Sequence, residues 1–172
     1  MTVLRAVLDA QAWVSAALNP KGAPRAIVEA ALSGRLRLVT SAYVRTDVLD
    51  VCSRPGVSER FRPGFDPAEW LELVETACAD VVNEAEGPPL TSDPKDDPYL
   101  WTAWVGGASH LVSKDAHLLA LKHYRGAQIL DPVAFLKELR GTHGPKTGSG
   151  PVVAEPEVEF AASTRRRGKS LR

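Results

Sequence analysis

Five short apolar runs, near residues 3–8, 36–40, 79–83, 109–113 and 127–130, have the length and β-branched content of strands. Between them fall helix-period segments at about 11–18, 24–33, 42–53, 67–77, 98–105, 115–122 and 132–140. A chain that alternates strand and helix in this way needs crossover connections, which lay the strands parallel and cover both faces with helices. The expected class is therefore α/β, a three-layer sandwich around a central, mostly parallel sheet. Breakers fall where the scheme needs them: Asn19-Pro20-Lys21-Gly22 and Arg54-Pro55-Gly56 close helices, and Gly87-Pro88-Pro89 opens a loop.

The 172 residues suit a single core. From Gly141 the chain turns to Gly, Pro, Ser, Thr and Glu, too poor in apolar residues to fold alone. Two parts are expected: a folded domain over residues 1–140, and a flexible tail over 141–172 that ends in a cluster of Arg165, Arg166, Arg167, Lys169 and Arg172. The formal net charge of +0 hides an asymmetry, because the tail holds six Lys/Arg against three Glu and leaves 15 basic against 18 acidic residues in the body. That balance excludes a histone-like basic binder but leaves room for RNA held by a local stripe. Cys52 and Cys78 lie in helix-like runs without metal-ligand spacing and read as reduced thiols. The first apolar run is shorter than the core of a signal peptide and no run reaches membrane-spanning length, so the expected location is the cytoplasm, with no membrane partner.

Acidic residues stand at the strand ends. Asp9 follows Val7-Leu8, Asp115 follows Leu111-Val112-Ser113-Lys114, and Asp97 closes Asp93-Pro94-Lys95-Asp96. Open α/β sheets bind ligands just outside the carboxyl ends of their strands, so these carboxylates would share one crevice. Gathered carboxylates repel unless a cation neutralises them, and an oxygen-only set suits Mg²⁺ or Mn²⁺, pointing to metal-assisted chemistry on a phosphate ester.

Each acid has a plainer reading. Asp9 and Asp115 could simply cap helices. Asp97-Pro98 is a helix-start pair, and so is Asp131-Pro132, where no chemistry is in view; local sequence does not separate a ligand from a cap. Asp47 differs, since it lies mid-helix beside Val44 and Val48 in an apolar arc, where a carboxylate needs either a metal or an Arg partner. Asp50 reads as solvated and Asp93 as a loop carboxylate. Asp96 is a candidate support for the metal acids, and Ser113 could hold a carboxylate through its hydroxyl. His110, His117, His123 and His143 show no metal spacing. Trp101 and Trp104 read as core, and Trp13 is the better candidate for stacking a base.

Four stretches carry a resemblance: Val7 to Ala16, Ser41 through Asp47 to Pro55, Asp93 to Leu100, and Leu111 to Leu119. In order and spacing they resemble a PIN domain, and within that superfamily the PIN-type ribonuclease toxins of bacterial toxin–antitoxin modules, from Val3 to about Leu139. The resemblance implies a Mg²⁺- or Mn²⁺-dependent endoribonuclease with Asp9, Asp97 and Asp115 as metal-binding acids and Asp47 as the helix acid. Ser113, Gln11 and Asp96 would support them. It also implies an RNA substrate, a cognate antitoxin protein and a second copy of the chain as candidate partners. The family's usual Asp-Thr-Asn is Asp9-Ala10-Gln11 here, its helix Glu is Asp47, its strand-end Thr is Ser113, and its second Asp after the last acid is His117.

The implied mechanism is in-line attack by water on a phosphodiester whose developing charge the metal neutralises. Arg25, Arg45, Arg54 and the terminal arginines would contact the RNA backbone. An alternative, favoured by the substitutions at positions 10, 11, 47 and 117, is a PIN-like protein that binds RNA or a partner with weakened or no cleavage. A phosphatase with Asp9 as nucleophile ranks last, because it would want a second Asp two residues on, where Gln11 neither donates nor accepts the proton.

Overall fold

The computed structural model describes residues 3–83 and 90–143. One sheet contains β1 (Arg5–Leu8), β2 (Arg37–Ser41), β3 (Cys78–Val82), β4 (His110–Val112), β5 (His123–Tyr124) and β6 (Ala127–Leu130), in the order β3-β2-β1-β4-β6-β5. Every pairing is parallel except the β5–β6 hairpin. The helices are α1 (Ala10–Leu18), α2 (Ala23–Leu32), α3 (Ala42–Ser53), α4 (Pro55–Ser58), α5 (Pro67–Ala77), α6 (Asp97–Val105), α7 (Ala116–Leu121) and α8 (Pro132–His143). This is the three-layer α/β arrangement that the alternation of runs implies.

The chain winds outward from β1 through β2 to β3, then returns to the other flank of β1 with β4. The direction of winding therefore reverses between β1 and β4, and the crevice above their carboxyl ends is where such sheets receive ligands. Register decides what emerges there. Leu8 pairs with Val112 and the Asp9 N–H donates to the Val112 carbonyl at 3.0 Å, so Asp9 and Ser113 leave the sheet side by side.

The central strands are apolar without alternation because both faces are covered: Ala6, Val7, Leu8, Leu111 and Val112 are all buried. Edge strand β3 instead alternates, with Val81 exposed. Helix α6 lies across β1, β2 and β4 and ends at Gly106, where a Cβ would come within 2.5 Å of Val39 Cγ1. The Gly106 carbonyl accepts from Arg5 Nε at 3.1 Å and Nη2 at 2.8 Å, tying the helix end back to β1. Helix α8 is fastened to β4 through His110, whose Nε2 lies 3.0 Å from Glu138 Oε1 and whose ring packs against Phe135.

Several expectations are corrected. Helix α8 continues past residue 140 to His143, so residues 141–143 belong to the fold; the rest of the expected tail, 144–172, lies outside the described residues. Cys78 opens a strand rather than sitting in a helix, while Cys52 is buried in α3, and both thiols are free. Trp13, the stacking candidate, is 1% exposed and fills the core, whereas Trp104 is 46% exposed and packs under the Arg125 guanidinium. No helix among the described residues is long and apolar enough to cross a membrane.

Candidate active site

Asp9 is the first residue beyond β1, and its backbone is extended while the chain enters α1. Its carboxylate does two jobs. Oδ1 accepts from the Ala12 N–H at 2.7 Å, which caps α1, while Oδ2 accepts from Ser113 Oγ at 2.5 Å and from the Lys114 N–H at 3.0 Å. Burial pushes the Asp9 carboxyl up from its ordinary value, against the pull of those hydrogen bonds. Ser113 in turn accepts from the Asp115 N–H at 2.9 Å, so one buried hydroxyl joins the acid after β1 to the acid after β4. Asp115 heads α7, accepting from the His117 N–H at 2.7 Å, and its other oxygen lies 3.4 Å from the Gln11 amide nitrogen.

Asp47 reaches the same crevice from α3. Its Oδ2 accepts from the Tyr99 hydroxyl at 2.5 Å, and its Oδ1 lies 3.8 Å from Arg54 Nη2. Arg54 is committed mainly to Asp50, at 2.7 Å, so Asp50 is paired rather than merely solvated. The Tyr99 hydroxyl also accepts from the Ala10 N–H at 3.1 Å, satisfying an orphan donor in the first turn of α1. Burial, then the bond to Asp47, pushes the Tyr99 phenol far above its ordinary value, so it serves as a fixed donor.

The fourth acid is where sequence and structure part. Asp97, expected among the metal-binding acids, does not line this crevice. It is buried with both oxygens occupied: the Leu90 N–H donates at 3.0 Å, the Thr91 N–H at 2.9 Å and the Thr91 hydroxyl at 2.7 Å. Those three bonds turn Asp97 toward the preceding loop. Asp96, the N-cap residue of α6, makes no side-chain capping bond and projects into the crevice instead. Its carboxyl is pushed up to about 6 by burial, then by the charges of Asp115 and Asp93, with His117 acting in the opposite sense.

The resulting hollow, about 200 Å³, is lined by Asp9, Asp47, Asp93, Asp96 and Asp115, with Arg54 and Lys95 as its cations. Asp131 caps α8 through the Val133 and Ala134 N–H groups and is not part of it. Arg25 and Arg45, expected on RNA, are paired with Glu29 and Glu75 elsewhere. Val51, Lys95, Tyr99 and Leu118 are lining residues that sequence reasoning did not single out, and Asp93, read as a loop carboxylate, lines the hollow as well. Tyr99 carried a signal, since it lies three residues after Asp96 on the same helical face.

Among the described residues no three His, Cys, Asp or Glu side chains close into a ready-made metal cage. The donor set nevertheless fits a hard cation that retains water. Mg²⁺ is held by one or two carboxylates and keeps much of its hydration shell. Asp96 is a buried residue whose carboxylate, among the described residues, accepts no hydrogen bond and faces two like charges, a cost that a divalent ion relieves.

A carboxylate-lined crevice at the switch point of a parallel sheet defines a site suited to cation-assisted chemistry on an anionic substrate. Residues 5–117 match the PIN domain, and the chain belongs to the PIN domain family. PIN domains are generally nucleases, within the hydrolase class, and typically use divalent metals. No curated protein matches the chain.

Proposed function

We propose that this protein is a Mg²⁺- or Mn²⁺-dependent ribonuclease whose acids are Asp9, Asp47, Asp96 and Asp115. The observation that carries the reading is the convergence of these carboxylates, from β1, α3, α6 and α7, on one hollow at the switch point. A divalent ion held there supplies charge neutralisation on the phosphodiester and a more acidic water. The chain's own residues do the rest. Ser113 fixes Asp9 and Asp115 relative to each other, Gln11 donates to Asp115 from the side, and Tyr99 holds Asp47 toward the crevice. Asp97 acts as a positioning residue, locking the 90–91 backbone so that α6 begins with Asp96 facing inward. Lys95 at the rim offers positive charge to the flanking phosphates, whereas Arg54 beside it is held by Asp50.

The role as a toxin of a toxin–antitoxin module, with a cognate antitoxin and a second copy as partners, rests on the motif resemblance. A specific observation favours a second reading, an RNA-binding PIN protein with weakened turnover: Asp47 is already engaged by Tyr99 and approached by Arg54. Incubating the full chain with a mixed single-stranded RNA pool in Mn²⁺, in Mg²⁺ and in chelator separates the two. Metal-dependent fragments support the nuclease, and retention of intact RNA without cleavage supports the second reading.

A further inference from the structure

Two more hollows continue from the acidic one. The next shares Gln11, Val51 and Arg54 with it, and a third, about 470 Å³, shares Ser15, Leu18, Arg60 and Lys114 with the second. Shared walls make the three a single groove that leaves the acids and runs between α1, α2 and the start of α8. Away from the acids the lining carries Arg60 and Lys114, together with the Asp131 carboxylate, whose Oδ1 already accepts from the Val133 and Ala134 N–H groups. Arg60 and Lys114 are exposed and, among the described residues, have no carboxylate within ion-pair distance, unlike Arg25, Arg45 and Arg54; Lys114 Nζ is steered over the groove by Ser15 Oγ at 3.0 Å. Between these cations the walls mix the apolar Leu18, Val57, Pro24, Leu119 and exposed Val133 with the polar Ser15 and Asn19.

We propose that this groove is the track for a single RNA strand on one side of the cleavage point, with Arg60 and Lys114 holding its non-scissile phosphates. The inference rests on the ribonuclease reading and extends it. Cations beside an acidic centre attract the phosphates that flank the one at the acids. Apolar side chains between cations suit a strand whose bases are free to turn onto them, as they are not in a duplex. An acidic protein segment could meet the same cations, but continuity with the acidic hollow favours a ligand that carries a phosphate into both.

Binding of a fluorescently labelled single-stranded RNA of mixed sequence by the full chain, in chelator and across a salt series, tests this. Arg60→Gln and Lys114→Gln should each weaken binding several-fold and flatten the logarithmic salt slope by about 0.7 per lost phosphate contact. Lys114→Arg should restore it. Lys137→Gln, an exposed lysine on α8 that is not part of the groove's lining, should change neither. RNA bound with unchanged slopes in both variants overturns the track while leaving the nuclease reading intact. Equal affinity for duplex RNA, or losses seen only with an acidic peptide probe, overturns the single-strand assignment. Absence of RNA binding by the unsubstituted chain, in chelator and in Mg²⁺, overturns the ribonuclease reading along with it.

Discussion

Asp97 is held by two backbone N–H groups and a hydroxyl, whereas Asp96, one residue earlier, accepts no hydrogen bond among the described residues. Their substitutions should therefore diverge. Asp97→Asn places an amide NH₂ against donors and should destabilise the fold by about 1–3 kcal/mol, measured by denaturant melts. Asp96→Asn removes a buried charge that faces Asp115 and Asp93, so in metal-free buffer stability at neutral pH should hold or rise while metal affinity falls. The pH dependence follows in sign. An Asp raised to about 6 in the fold binds a proton more tightly there than when unfolded, so its contribution favours folding at low pH and is lost as pH rises from about 4 through about 6. Melts in chelator should show that loss in the unsubstituted chain and a smaller one in Asp96→Asn, and added Mn²⁺ should stabilise more at neutral than at acid pH. The sequence made an acid at this helix start legible. Which of two adjacent acids turns inward depends on where the Thr91 loop places its donors, a tertiary fact that the Asp-Asp-Pro string does not contain.

Among the elements, α6 brings Tyr99 and the preceding Asp96 to the crevice by packing close to the sheet. Gly106→Ala would press a methyl group onto Val39 Cγ1 and should cost about 1–3 kcal/mol without touching any crevice residue. A melt of that variant beside a metal titration checks it, with lowered stability and unaltered metal affinity expected. Helices were legible to within a few residues by their apolar period, and the parallel strands as short unbroken apolar runs. The β5–β6 hairpin was not. Its turn, Arg125-Gly126, has φ of 43° and 87°, and Arg is an uncommon residue for a left-handed position. The Arg125 guanidinium 4.2 Å from the Trp104 ring centroid helps hold that turn, a long-range contact invisible to local pattern. Helix α4 is a single turn starting at Pro55, too short for any period to register.

Over the whole molecule, strand order rather than any motif places the site. β1 and β4 are adjacent although about a hundred residues separate them, and the reversal of winding between them leaves a crevice that Asp9 and Asp115 enter from their strand ends. The acidic body and the basic residues from Arg165 onward are opposite in sign, and truncation after His143 should leave the melt unchanged while lowering the salt slope of RNA binding. The hollow at the switch point is proposed to bind a divalent ion through Asp96 together with Asp9, Asp47 and Asp115. Calorimetric titration of Mn²⁺ into the unsubstituted chain, Asp96→Asn and Asp97→Asn, each verified as folded, tests it most directly. One saturable site is expected, with an affinity loss of about tenfold or more, near 1.4 kcal/mol, in Asp96→Asn and a smaller loss in Asp97→Asn, which acts on the ion only by turning Asp96 inward. Strong binding that survives Asp96→Asn and disappears in folded Asp97→Asn would contradict it.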